Sequence, residues 1–165
     1  VPQHICELTY NLIQDGKLKF DKSENDHMVL TYHDSCNPAR AMGLMDEPRY
    51  ILDHVVDWVE MPENTIRERT FCCGSGTGLN TDEIMELRMR SGLPRANAVK
   101  YVEDKHEVNM LSCVCAIDRA TLTSLMDYWN PNVGVFGITE LVGNAIVLEG
   151  ETRGELDEGL RTMVF

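Results

Sequence analysis

Six cysteines carry most of the chemistry this sequence can offer: Cys6, Cys36, Cys72, Cys73, Cys113 and Cys115. Cys72 and Cys73 are adjacent and lead into Gly74-Ser75-Gly76-Thr77-Gly78. Neighbouring Cα atoms across a trans peptide lie about 3.8 Å apart, inside the roughly 4.4 Å lower limit for an unstrained disulfide. The pair is therefore not expected to bridge itself. Thiolate sulfur is a soft ligand that selects iron–sulfur clusters, zinc or copper(I), and two vicinal thiols serve a metal cluster better than two separate bridges. Glycines at 74, 76 and 78 let the backbone approach a bulky inorganic core and turn free amides toward sulfur or an anion. A helix start after Gly78 is expected to lower the thiolate pKa values further. The cysteines of that cluster, and not a general disulfide framework, are the centre of interest.

The neighbours of the cysteines are also reactive types. His33 and Asp34 stand just before Cys36, where either can move a proton as a thiol leaves; an Asp in such a turn equally often bonds its own backbone. Arg40 can steady an anion or pair on the surface. Cys6 sits beside Ile5 on a helical face, which favours core packing over ligation. The glycine run lacks a Walker lysine, so a phosphate cradle is the weaker reading. Zinc on the same thiolates is the nearest alternative to a cluster, since four sulfurs satisfy it.

The elements that must position these groups alternate along the chain. Ile5 to Ile13 has helical spacing and Gly16 can stop it. Met28 to Tyr32 is a short apolar strand ending at His33-Asp34-Ser35-Cys36-Asn37-Pro38, where Pro38 can open a helix. Met45 to Val59 carries a helical stripe closed by Pro62. Asn80 or Thr81 can cap a helix that Gly92 and Pro94 break, with a second helix resuming from Arg95 to Lys105. Val108 to Val114 is a second strand, Asp118 to Trp129 a helix, Val133 to Phe136 a third strand and Ile138 to Leu148 a last helix. This alternation predicts a single α/β domain over residues 1–148, a mainly parallel sheet flanked by helices in a Rossmann-like three-layer arrangement, with an acidic tail over 149–165. Ligands of such sheets collect beyond the carboxyl ends of the strands. Cys36 follows the first strand and Cys113 and Cys115 follow the second, so three distant cysteine groups are expected to converge at one edge.

Bulk properties narrow the function class. A net charge of −12 over 165 residues argues against nucleic acid, whose binders present an electropositive face. The most apolar stretch, 133–148, contains Glu140 and is too short to span a membrane, which needs about 20 residues. Val1-Pro2-Gln3-His4 shows no positive region followed by an apolar one, so no secretory leader is expected and the pattern looks intracellular. A start at Val1 suggests a piece of a longer protein.

His33-Asp34-Ser35-Cys36-Asn37-Pro38-Ala39-Arg40, Phe71-Cys72-Cys73-Gly74 and Cys115 together resemble the CCG cysteine-rich domain of heterodisulfide reductases and their relatives. There are 35 residues between Cys36 and Cys72 and 41 between Cys73 and Cys115. Glu47-Pro48-Arg49-Tyr50, Cys115-Ala116-Ile117-Asp118-Arg119-Ala120 and Glu140-Leu141-Val142-Gly143-Asn144 extend the likeness over nearly the whole chain, most closely to the C-terminal portion of DsrK-type subunits. The resemblance implies a 4Fe-4S cluster, possibly non-cubane, held by Cys36, Cys72, Cys73 and Cys115 beside Gly74. It implies catalytic roles for Cys36, Cys72, Cys73 and His33. The family's second cysteine of C-x-x-C is replaced by Asp118, so Cys113 or Asp118 takes the fifth position or that position stays open. The implied activity is that of an iron–sulfur oxidoreductase subunit in dissimilatory sulfur metabolism. It would reduce or form a disulfide or trisulfide on a small sulfur-carrier protein, with electrons from a membrane-linked complex. The implied partners are the other subunits of that complex, and the implied location is cytoplasmic, peripheral to the membrane. The C-x-x-C-x-x-C runs of electron-relay segments are absent, so this piece by itself is expected to be inactive. The competing class is a non-catalytic electron relay or a zinc-stabilised interaction module.

Overall fold

A computed structural model describes residues 2–76 and 78–148; the expected acidic tail, 149–165, lies outside the described residues. The elements run α1 (Ile5–Gln14), β1 (Val29–Tyr32), α2 (Asp46–Val55), β2 (Asp57–Val59), α3 (Met85–His106), β3 (Met110–Cys113), α4 (Ala116–Trp129), β4 (Gly134–Gly137) and α5 (Ile138–Ala145), with short 3₁₀ and π turns between them. The four strands form one sheet in the order β2-β1-β3-β4, and every pairing is parallel. The expected α/β class with a parallel sheet is what the chain adopts.

Short strands without polar alternation bury both faces, and here the two faces build two cores. Leu30 and Tyr32 of β1 join Cys6, Ile51, Leu52, Val55, Ile138 and Leu141 from α1, α2 and α5. Leu111 and Cys113 of β3 and Val135 of β4 join Met89, Ala96, Val99, Val102, Leu122, Leu125 and Met126 from α3 and α4. Successive strand side chains point to opposite faces, so Met110 and Phe136 pack on the first core while their neighbours pack on the second. Buried Asn25 ties the first layer together. Its Nδ2 donates to the carbonyls of Val55 (2.8 Å) and Leu141 (3.1 Å), and its Oδ1 accepts from Asn144.

Two elements differ from the sequence expectation. The stripe from Met45 to Val59 is not one helix: α2 ends at Val55, Val56 is extended (φ −157°, ψ 159°), and Asp57–Val59 become the edge strand β2 beside β1. Val55, Val56 and Val59 satisfy helical spacing, but β-branched residues also suit a strand, and a free edge of β1 supplied the ladder partners. The predicted break at Gly92 and Pro94 is also absent; α3 runs unbroken through both. Gly92 is there for close approach. A Cβ on it would lie 2.6 Å from Leu125 Cδ1 and 3.1 Å from the Cys73 carbonyl. Pro94 removes the amide that would bond the carbonyl of residue 90, and Arg90 is exposed, where water can take that carbonyl.

Candidate metal centre

The carboxyl edge of the sheet collects the three cysteine loops. Beyond β1 the chain continues the ladder for one residue, with the His33 amide donating to the Ser112 carbonyl at 2.8 Å. His33, Asp34 and Ser35 are then all buried. Asp34 is clamped by a two-pronged bond from Arg49 of α2, 2.8 Å to each oxygen, and by the Arg67 amide at 2.7 Å. Arg49 also grips Glu60 at 2.6 Å. Burial pushes the Asp34 pKa up, but the Arg49 bond, then the Arg67 amide, outweigh it and hold the carboxyl below its usual range. This rigid corner presents Cys36, exposed, at the start of a helical turn that widens to π geometry over Asn37–Ala41 with Pro38 in its first turn.

Residues 60–76 are strapped to that corner. Among the described residues Arg40 bonds carbonyls and no anion: its Nε donates to the Glu68 carbonyl (2.9 Å) and its Nη2 to the Thr70 carbonyl (2.6 Å). Thr70 Oγ donates to the Asp34 carbonyl at 2.8 Å. Cys72 emerges exposed and Cys73 buried. The Gly74 amide donates to Cys72 Sγ at 3.3 Å. Gly74 has φ +90°, and a Cβ there would sit 2.5 Å from the Arg88 carbonyl and 2.9 Å from the Gly92 nitrogen. The Cys73-Gly74 backbone is thus pressed directly onto α3 at Gly92. Ser91 Oγ donates to the Gly74 carbonyl and Arg88 Nε to Ser75 Oγ, which closes the turn.

The third loop follows β3. The amides of Val114 and Cys115 donate to Ser35 Oγ at 3.4 and 3.3 Å, which brings Cys115 beside the residue preceding Cys36. Cys115 is half-exposed and stands at the N-cap of α4. One turn on, Asp118 is buried with its Oδ2 3.4 Å from His33 Nε2. Burial alone would raise the Asp118 carboxyl; neighbouring His33, then Ser35 and Cys73, bring it down to about 2, although its Oδ2 has no hydrogen-bond partner among the described residues. His33 is depressed by burial and next by the charge of Arg95, against the pull of Asp118. His33 Nδ1 is likewise buried with no hydrogen-bond partner among the described residues.

The residues expected at the site separate clearly in the fold. Cys36, Cys72, Cys73 and Cys115 are carried at one edge on loops cross-linked by Ser35 and Thr70. Cys113 is not in the loop after the strand but is the last residue of β3, fully buried in the core against α3 and α4. Cys6 is likewise core, buried against the first layer. The expected lowering of the thiol pKa values by a helix start after Gly78 fails for Cys73. The helix begins only at Met85, and burial, with Asp118 next, pushes Cys73 up to about 12. Among the described residues no three His, Cys, Asp or Glu side chains are already drawn together as metal donors. The donor set still suits a thiophilic centre: soft sulfurs on three loops, an amide aimed at one of them, and a glycine where any side chain would collide. Sequence reasoning overlooked Arg49, Thr70 and Arg95 as the groups that hold these loops, because their partners are 15 to 36 residues away.

Neither a family model nor a solved structure matches the chain. It is 48% identical over 146 residues to the Hdr-like menaquinol oxidoreductase iron-sulfur subunit 2 of Archaeoglobus fulgidus, a match that covers 88% of this chain and 26% of that protein. It is 32% identical over 148 residues to one subunit of the dihydromethanophenazine:CoB–CoM heterodisulfide reductase of Methanosarcina mazei, covering 88% of this chain and 34% of that protein. A shorter match, 40% over 75 residues, joins 46% of this chain to 10% of the EtfAB:quinone oxidoreductase of Syntrophomonas wolfei. The chain therefore spans about a quarter to a third of the length of the first two relatives.

Proposed function

The chain belongs to the heterodisulfide reductase-like family of iron–sulfur oxidoreductase subunits, and from that premise we propose that its cysteine edge holds a 4Fe-4S cluster serving thiol–disulfide chemistry. Cys36, Cys72, Cys73 and Cys115 would hold the cluster. Full burial of Cys113 in the sheet core supports leaving it out, and burial of Asp118 beside His33 supports a role for Asp118 as a neighbour of the ligands. When bound, such a cluster supplies a store for single electrons beside an iron that can accept sulfur. The observation that carries the proposal is the cross-linking of the three cysteine loops at one sheet edge by Ser35 and Thr70.

The protein's own groups divide the remaining work. Cys36 and Cys72 are the exposed thiols and face any incoming sulfur compound. The Gly74 amide donates to Cys72 Sγ and orients it. Ligation by Cys73 requires its thiol proton to leave, and the neighbouring Asp118 carboxylate, 3.4 Å from His33 Nε2, would take it. The substrate is a disulfide or trisulfide on a small sulfur-carrier protein in dissimilatory sulfur metabolism. Electrons come from other subunits of a membrane-linked complex, at the cytoplasmic face. Exposed apolar side chains close in sequence to the cysteines, Met42, Leu79 and Ile117, give such a protein partner something to dock against. No helix among the described residues is long and apolar enough to cross a membrane.

Anaerobic reconstitution with iron and sulfide, followed by iron analysis and EPR with and without a thiol, tests the proposal. A cluster signal that changes with the thiol supports it. Zinc alone, or a cluster indifferent to thiol, points instead to an interaction module or a relay. Cys72→Ser should abolish iron loading; retention of full iron would contradict the ligand set.

A further inference from the structure

Where the first turns of α3 pack on the last turns of α4, an open groove of about 310 Å³ is lined by Met85, Met89, Ser124, Asp127 and Tyr128. The spacing accounts for the lining. Met85 and Met89 stand four apart on α3, and Ser124, Asp127 and Tyr128 stand three and four apart on α4, so each helix offers one face to the groove. Trp129 ties the two walls together. Its Nε1 donates to the Met89 carbonyl at 3.0 Å, and its ring meets that of Tyr128 edge-on at 4.8 Å. Met89 lies one turn before Gly92, against which the Cys73 carbonyl and the Gly74 backbone are pressed.

The groove is apolar along one side and polar with unspent bonding capacity on the other. Met89 is buried and Met85 half-buried, and their flexible thioethers shape themselves to an aliphatic stem. Tyr128 is 64% exposed, so its ring is open to a ligand. Among the described residues neither the Asp127 carboxylate nor the Ser124 hydroxyl makes a hydrogen bond or ion pair. Carboxylates at the start of α3 are already answered, Glu86 by Arg90 and Asp82 by Arg88 at 3.8 Å. No cation lines the groove, and the chain as a whole carries −12. Charge complementarity therefore selects a cationic occupant. The volume lies at the bottom of the range for small-molecule sites, room for one long side chain and too little for a cofactor.

We propose that this groove is the docking site for an arginine of a partner protein. The guanidinium pairs with Asp127, stacks on Tyr128 and donates to Ser124 Oγ, while its methylenes lie along Met85 and Met89. Arginine fits better than lysine because its planar fork matches a carboxylate and an aromatic face together. Arginine seated in a pocket beside tyrosine is also a frequent energetic anchor of protein interfaces. A second copy of this chain is the poorer occupant, since it brings its own excess of negative charge. The partner is held on α3 one turn from the seat of the cysteine turn, and no cysteine takes part in holding it. The inference therefore stands apart from the assignment of metal ligands.

The test uses the full 165-residue chain with ¹³C-labelled methionine methyl groups, followed by NMR. The probe is a blocked five-residue peptide with one central arginine between leucines; versions with lysine, glutamine or glutamate at the centre are compared. Of the nine methionines, Met85 and Met89 should shift most with the arginine peptide. Lysine should bind more weakly, and glutamine and glutamate should leave both signals in place. Asp127→Asn should weaken binding by about two- to fivefold, and Tyr128→Ala by about the same factor. Tyr128→Phe should keep most of the affinity, and added salt should reduce it. Asp127 and Tyr128 are exposed, so an unchanged urea midpoint separates lost binding from lost folding. Equal shifts with the glutamine peptide would reduce the groove to an apolar patch and overturn the inference. So would unchanged affinity in Asp127→Asn, or still signals at Met85 and Met89 with millimolar arginine peptide. Self-association seen by sedimentation and abolished by Asp127→Asn would assign the groove to a second copy, which also overturns it.

Discussion

Replacing Gly74 by alanine tests the central packing claim, that the Cys72-Cys73 turn is held by direct contact of its backbone with α3. Two penalties combine at this position. The φ of +90° lies in the region that costs an L-residue roughly 1–2 kcal/mol. The added Cβ would stand 2.5 Å from the Arg88 carbonyl, 2.9 Å from the Gly92 nitrogen and 3.1 Å from Gly92 Cα. All three are backbone atoms of a helix and cannot swing aside, so overpacking adds about 1–3 kcal/mol more. The expected loss is therefore about 2–5 kcal/mol. Gly43→Ala is the matched control, because Gly43 has φ +72° and open space around its Cβ; it should cost only the conformational part. Gly76→Ala, with open space and no such φ, should be nearly neutral. Urea unfolding of the three metal-free variants reads these differences, and iron loading of Gly74→Ala should fall with its stability. If Gly74→Ala proves no more destabilising than Gly43→Ala, the turn is not seated on α3 as described.

Alkylation of the native metal-free chain with iodoacetamide at pH 8 should label exposed Cys36 and Cys72 first and half-exposed Cys115 next. Cys6 and Cys113 should lag by roughly tenfold or more, since burial holds them as protonated thiols; peptide mass spectrometry reads the order, and early labelling of Cys113 would reopen its place in the ligand set. Asp34→Asn leaves the buried Arg49 charge half-paired and should cost about 3 kcal/mol in urea unfolding, the lower end for a broken buried pair because Glu60 still holds Arg49. Asp34 and Asp118 both have carboxyls depressed in the folded state, Asp118 to about 2. Their contribution is present above the unfolded value of about 4 and is lost as pH falls toward 2. The urea midpoint of the metal-free chain should drop across that window, and a flat profile from pH 5 to pH 2 would count against the bonded carboxylates.

The same contacts that fix the fold also prepare the site. Asp34 joins α2 to the loop carrying Arg67, Thr70 joins that loop to β1's end, and Ser35 joins β1's end to β3's end. Each cysteine is therefore positioned by a neighbour in sequence whose own partner is distant. This explains why the loops lie at one edge while two thiols remain open to solvent.

The order of elements and the α/β class were legible in the sequence because apolar runs of four residues between helical stripes admit few other packings. The cysteine pattern carried the family and the candidate ligands for the same local reason: thiols beside glycines at fixed spacings have a restricted chemistry. What lay beyond the sequence was everything decided by competition between distant partners. Val55 to Val59 fits either a helix or a strand, and only the open edge of β1 made it end as β2. Gly92 looked like a breaker, and only contact with Leu125 and the Cys73 carbonyl shows it as the clearance that lets a helix pass. Cys113 and Asp118 competed for one ligand position with equal right in the sequence. Strand register turned Cys113 into the core and the first turn of α4 carried Asp118 to His33 and Cys73. The burial of Arg95 had no sequence signal at all, because burial is a property of the packed chain and not of any segment of it.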